Sequence, residues 1–183
     1  ETYDRDLTGK NIFALQDEII KKIINELVGA GAVLSKDINK KIASTSTSDI
    51  SIYECINFAR GAVTPALNPK AIECLEKSIK KDPNYADAWI WLADRKRAQH
   101  SSFSMTDKFK YMLEEASKEI DRGLILDPEH AFGYSTKLQI EFYKNNWQEM
   151  FNVAEKAYSL AGERPHLLGK IGYSLAYGGQ CEK

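Results

Sequence analysis

Lys77-Ser78-Ile79-Lys80-Lys81-Asp82-Pro83-Asn84-Tyr85-Ala86-Asp87-Ala88-Trp89 and Arg122-Gly123-Leu124-Ile125-Leu126-Asp127-Pro128-Glu129-His130-Ala131-Phe132-Gly133-Tyr134 punctuate this chain in the same way. In each, Asp-Pro ends a helix, because proline has no amide hydrogen and pushes the residue before it out of the α region. An aromatic follows each proline by six residues. Upstream, Ala71, Leu75 and Ser78 precede Pro83 at the offsets at which Ala116, Ile120 and Gly123 precede Pro128. Met150, Ala154 and Ala157 follow the second set by 34 residues, and Gly162 takes the place of the proline. The prolines themselves lie 45 residues apart, so the period is 34 with 11 extra residues inside the second unit. Small, large and small residues recur where two helices must approach closely. A chain repeating at this period is an array of stacked units, and such an array is first of all a binding surface.

These spacings resemble those of the tetratricopeptide repeat. Trp89, Leu92 and Ala93 look like its first-helix signature, and Tyr134, Lys137 and Leu138 take those places in the next unit. Leu168, Ile171, Gly172 and Leu175 do so in a last one. Cys55, Phe58 and Ala59 stand there in the first unit without the usual aromatic and glycine, and Lys137 replaces an apolar residue. The resemblance implies an all-α, right-handed superhelix of antiparallel helix pairs over residues 49–183, about three and a half repeats. Its units would be 52–85, 86–130 with the insertion, 131–164 and a partial 165–183.

Tyr3-Asp4-Arg5-Asp6-Leu7, followed by Ile12-Phe13-Ala14-Leu15-Gln16-Asp17-Glu18-Ile19, resembles the junction between a TolB-like α/β domain and a tetratricopeptide array in bacterial signalling proteins. In that family the array stands behind nucleotide cyclase or winged-helix DNA-binding domains, and an insertion in the second repeat is similar to what it shows. The resemblance implies a regulatory protein. With no initiator methionine, the chain reads as an excised fragment. Two alternatives to a peptide-binding scaffold stay open: a regulatory or dimerisation segment of a nucleotide cyclase, and the sensor arm of a winged-helix transcription regulator.

With 25 Lys+Arg against 26 Asp+Glu the formal charge is −1, which gives no net pull toward nucleic acid or an anionic membrane. No apolar run approaches the ~20 residues of a membrane span, and no signal peptide is visible. The cysteines Cys55, Cys74 and Cys181 have no metal-like spacing, and an odd number suits a reducing compartment. A cytoplasmic location is therefore expected, with the periplasm as the alternative if the full-length protein is membrane-anchored. Cys55 and Cys74 read as small buried residues on paired helices rather than as a bridge.

Residues 1–48 divide into the end of a strand at 1–8, an amphipathic helix at 12–28, a short helix near 36–42 and the linker Ser44-Thr45-Ser46-Thr47-Ser48. Orphaned from its own domain, helix 12–28 is expected to cap the array or pair with a second copy; the truncated C-terminal helix offers a second route to a homodimer. From Asp49, seven helical segments follow in pairs. The first two run near 50–63 and 69–81, with Asn68 as N-cap and Pro69 at N1. A helix from Tyr85 to about Gln99 precedes one starting after Thr106. The insertion reads as extra turns on both, with a polar tip at His100-Ser101-Ser102, making an elongated hairpin that projects from the array. Segments 131–144 and 147–160 turn at Asn145-Asn146, and 165–177 ends at Gly178-Gly179-Gln180.

The resemblance assigns positions 2, 5, 9, 12 and 13 of each unit to a concave groove. They include Tyr53, Ile56 and Arg60, then Asp87, Ile90, Asp94 and Arg97, then Phe132, Ser135, Gln139, Phe142 and Tyr143, and last His166, Tyr173 and Tyr177. Of these, Tyr53, Arg60, Asp94, Arg97, Gln139, Phe142, Tyr143, Tyr173 and Tyr177 are the expected partner-binding residues. Aromatics along one wall and Arg60 and Arg97 at the other end suit a peptide with apolar anchors and an acidic group. The carboxylate clamp of chaperone-binding arrays needs lysine and asparagine where Ile56 and Arg60 stand, and is not expected.

No catalytic residue, metal site or cofactor is expected. His100, His130 and His166 share no ligand spacing. Gly169-Lys170 lacks a phosphate loop's spacing to Gly162 and has Ile171 where Ser or Thr should bind magnesium. Gly133-Tyr134-Ser135 and Gly172-Tyr173-Ser174 lack the second glycine of a nucleophile elbow. Glu114-Glu115 and Asp17-Glu18 read as solvated helix surfaces.

Overall fold

The computed structural model describes residues 50–62, 64–99 and 106–179, and among these every regular element is an α-helix. In order they are α1 (Ile52–Gly61), α2 (Asn68–Lys81), α3 (Ala86–Arg97), α4 (Asp107–Leu126), α5 (Ala131–Tyr143), α6 (Trp147–Ala161) and α7 (Pro165–Tyr177). The strand remnant, the helices at 12–28 and 36–42, the linker, the polar tip and Cys181 lie outside the described residues. No helix among the described residues is long and apolar enough to cross a membrane.

The two Asp-Pro turns are closed by the same hydrogen bonds. Asp82 and Asp127 leave the helical region at φ −141°, ψ 95° and φ −135°, ψ 90°. Each donates its amide to the carbonyl four residues back, of Ser78 and of Gly123, at 2.9 Å. Each carboxylate accepts from the amide two residues on, that of Asn84 at 2.9 Å and of Glu129 at 3.2 Å. Each carbonyl accepts at 3.3 Å from the amide three residues on, of Tyr85 and of His130. The aspartate thus satisfies donors around a proline that supplies none, and one helix is handed to the next in four residues.

Side-chain caps fix the starts of α1 and α4. Ser51 and Glu54 form a capping box on α1, and the Thr106 hydroxyl accepts from the Phe109 amide on α4. Asn68, expected to cap α2, lies instead inside its first turn behind Leu67. Its buried amide donates at 2.8 Å to the carbonyl of Arg95 on α3, a bond that ties two helices rather than capping one.

Each helix packs on its neighbours in the chain, and α1, α3, α5 and α7 also pack on one another in succession. The odd-numbered helices therefore form one layer and the even-numbered ones flank it. Gly123 of α4 sits beside Ala86 and Ile90 at the start of α3, while Glu119, a turn earlier on α4, pairs with Lys96 near the end of α3. This order makes the α3–α4 pair antiparallel. The residues set apart by the period, Ala71, Leu75 and Ser78, Ala116, Ile120 and Gly123, and Met150, Ala154 and Ala157, are all buried.

Two further expectations are corrected. Cys55 on α1 and Cys74 on α2 are joined in a disulfide, with Cα atoms 5.7 Å apart, a separation that suits the bond. Reading them as two buried thiols missed that antiparallel packing puts both at one level. The insertion, moreover, lengthens only one helix: α4 has 20 residues against 14 in α2 and 15 in α6, whereas α3 has 12. Nor does the extra length project. Phe109 and Leu113 in its first turns are buried, Phe109 meets the edge of Tyr143 at 5.9 Å, and Lys144 pairs with Glu114 at 3.5 Å. Apolar residues at i and i+4 need a partner, and the end of α5 supplies it.

Candidate functional site on the odd-numbered helices

One side chain from each odd-numbered helix joins a single stack. Trp91 of α3 and Phe132 of α5 lie nearly parallel, their centroids 4.2 Å apart. The Arg60 guanidinium of α1 lies 5.6 Å from the Trp91 centroid, and the Lys170 ammonium of α7 lies 4.4 Å from that of Phe132. Arg95 adds a second guanidinium 5.8 Å from Trp91. Cations are drawn to the negative faces of such rings, so packing of the odd layer sets the ring pair between a cation from α1 and one from α7.

Asp94, fully buried, is the centre of the charges. Its carboxylate accepts from Arg97 at 2.7 Å and from Arg95, and Lys170 approaches to 3.6 Å. Burial alone would raise its pKa, but Arg97, Lys170 and Arg95 together outweigh it and hold the carboxyl well below the usual range. Burial pushes the Lys170 ammonium down; Asp94 opposes the shift, and Arg97 and Arg95 add to it. His166 on the same helix is lowered by burial and then by Lys170 and Arg164. Arg95 also donates to the Ala62 carbonyl at 2.7 Å. The Nε atoms of Arg95 and Arg97 and the indole Nε1 of Trp91 are enclosed and find no acceptor among the described residues.

Toward α7 the site becomes aromatic. Phe142 meets Tyr173 at 6.2 Å, Tyr143 at 5.4 Å and Trp147 at 5.7 Å, and Tyr173 lies against Tyr177 at 4.5 Å. Tyr173 and Tyr177 remain 41% and 68% exposed. Of the expected site residues, Phe142, Tyr173 and Tyr177 come together here, while Arg97 and Asp94 meet in the charged centre. Arg60 lies at its edge, 3.7 Å from Asp87. Tyr53 is exposed on α1, Gln139 is half-buried with an enclosed, unpartnered Oε1, and Tyr143 turns its ring to Phe109.

Ile56, Ile90 and Ser135, placed in the groove by the fifth-position rule, are buried instead. Ile56 belongs to the core that α1 and α2 share with Leu92, and Ile90 to the core that α3 shares with α4 and α5. Asp87 is occupied by His130, whose Nε2 lies 2.7 Å away while its Nδ1 accepts from the Gly133 amide. The Asp87 pKa is lowered, first by that hydrogen bond, against burial, then by the charges of His130 and Arg60. His130 thus serves as a helix cap and a link to α3. No group of three or more potential metal ligands gathers among the described residues. Trp91 and Lys170 escaped the sequence reading because neither occupies an assigned groove position; only the tertiary stack reveals them.

Compared with models of known protein families, the sequence matches none, and it has no significant match to a curated protein.

Proposed function

We propose that residues 49–183 form a tetratricopeptide-type array whose odd-numbered helices line the concave side of a right-handed superhelix, and that this side binds a peptide or partner domain. The chain acts as a non-catalytic interaction scaffold within a bacterial signalling protein. The observation that carries this reading is the exposed cluster of Phe142, Tyr173 and Tyr177, built from α5 and α7 beside the charged centre. Rigid aromatics with one wet edge are common anchors of interfaces. The identical Asp-Pro turns and the continuous odd-helix layer support the repeat architecture. The Cys55–Cys74 bridge favours the periplasm, or another oxidising compartment, over the cytoplasm.

The test is selection from a displayed random-peptide library, followed by affinity measurement on wild type and on Tyr173→Ala plus Tyr177→Ala. Both side chains are exposed, so the variant is expected to fold, which an unchanged helical signal and unfolding midpoint would verify. Recovered peptides should bind the variant at least tenfold more weakly. Equal binding, or no enrichment on wild type, sinks the reading.

A further inference from the structure

We infer that the charged centre on the odd-numbered helices is an oxyanion-binding subsite, formed by Arg97 and Lys170 beside the Trp91–Phe132 stack, which takes an acidic group of the bound ligand. The inference rests on reading this layer as the ligand-binding side and gives that ligand its chemistry.

Charge is the first ground. Arg95, Arg97 and Lys170 all converge on Asp94, and among the described residues no second carboxylate lies within ion-pair distance of these three cations. Their side chains are only 10%, 12% and 27% exposed, so water screens the excess poorly. Buried charge needs a counter-charge, and this cluster holds one for three.

Unused donors are the second ground. Arg95 is nine-tenths buried, yet its Nε, the Nε of Arg97 and the Trp91 indole N–H have no acceptor among the described residues. Enclosed donors are ordinarily satisfied, so three of them on residues of one cationic cluster leave it donor capacity for an anionic ligand. Asp94 does not fill it: one oxygen accepts from Arg95 and the other from Arg97, with Lys170 at the longer 3.6 Å. Asp94 instead holds the cations in place, while Lys170 keeps donors to spare.

The Trp91–Phe132 stack makes the third ground. It gives the subsite an apolar floor that excludes water and strengthens an ion pair formed above it. An acidic group seated there leaves the flanking part of its ligand near Tyr173, one turn along α7 from Lys170.

The experiment follows the three indole N–H signals of Trp89, Trp91 and Trp147 by NMR while glutarate or inorganic phosphate is exchanged for chloride at constant ionic strength. The Trp91 signal should move saturably with one anion or both, which tells a planar carboxylate from a tetrahedral phosphoryl group. Affinity should fall at least tenfold in Lys170→Gln and in Arg97→Gln, and recover in Lys170→Arg, with the Trp89 and Trp147 signals marking the intact fold. A Trp91 signal that does not move, or that moves equally in Lys170→Gln, overturns the subsite. Library-selected peptides that bind Lys170→Gln unchanged overturn it too, while the aromatic groove stands. Anion binding without any selected peptide overturns the groove and leaves the subsite.

Discussion

Gly123 of α4 and Ile90 of α3 are so close that a β-carbon on the glycine would stand 2.5 Å from Ile90 Cγ1. Ile90 is fully buried and branched at its own β-carbon, so it has little room to withdraw. Gly123→Ala gains up to about 1 kcal/mol of helix propensity. Overpacking costs ~1–3 kcal/mol, and here it should win. Urea unfolding is expected to give a lower midpoint at an unchanged slope. A stabilised variant would show that the helices can part without loss.

The disulfide closes a loop with a sequence separation of 19. Chain-entropy arguments place the stabilisation from such a loop at ~3 kcal/mol. Reductant, or Cys55→Ser, should lower the urea midpoint by a corresponding amount, with the α-helical signal retained below the transition. An unchanged midpoint after verified reduction contradicts the cross-link.

Glu119, buried between α4 and α3, has its pKa pushed up to about 7 by burial, against the hydrogen bond and charge of Lys96; Glu115 and Glu76 add to the rise. The folded pKa lies above the ordinary 4.5, so this contribution to stability is fully present below that pH and is lost as pH rises through about 7. Between about pH 5 and pH 8, a range that brackets the folded pKa, wild type should lose stability by up to ~3 kcal/mol, the rise of ~2.5 units taken at ~1.4 kcal/mol each. In Glu119→Gln that slope should vanish. Chemical unfolding at stepped pH decides; a slope surviving in the variant assigns it elsewhere.

Phe109 tests whether the long helix is anchored. Buried against Tyr143, it should cost ~3 kcal/mol on replacement by alanine, with faster amide exchange over the first turns of α4. A change under ~0.5 kcal/mol, the range of surface substitutions, would mean that those turns stand free.

Legibility in the sequence followed the range of the interaction. Asp82-Pro83 and Asp127-Pro128 announce their turns because every hydrogen bond that closes them falls within a few residues. The helix start after Thr106 is legible for the same reason, and the end of 165–177 from Gly178. Asn68 was misjudged because its partner, the Arg95 carbonyl, is 27 residues away. The Cys55–Cys74 bridge depends on the level at which two helices meet, which no local pattern encodes. The charged centre is the extreme case, since Asp94 and Lys170 are brought together only across α5. The aromatic end was easier: Tyr173 and Tyr177 are one turn apart on a single helix, and periodicity alone puts them side by side.

The cross-link between α1 and α2 also bears on the order in which the helices assemble. Where helices pack mainly on near neighbours, folding can begin wherever a pair of helices first holds together, and the entropy of loop closure opposes each start. With the bridge intact, that entropy is already spent in the first pair. The oxidised chain is therefore expected to refold faster than the reduced one, with α1 and α2 among the first helices protected from amide exchange.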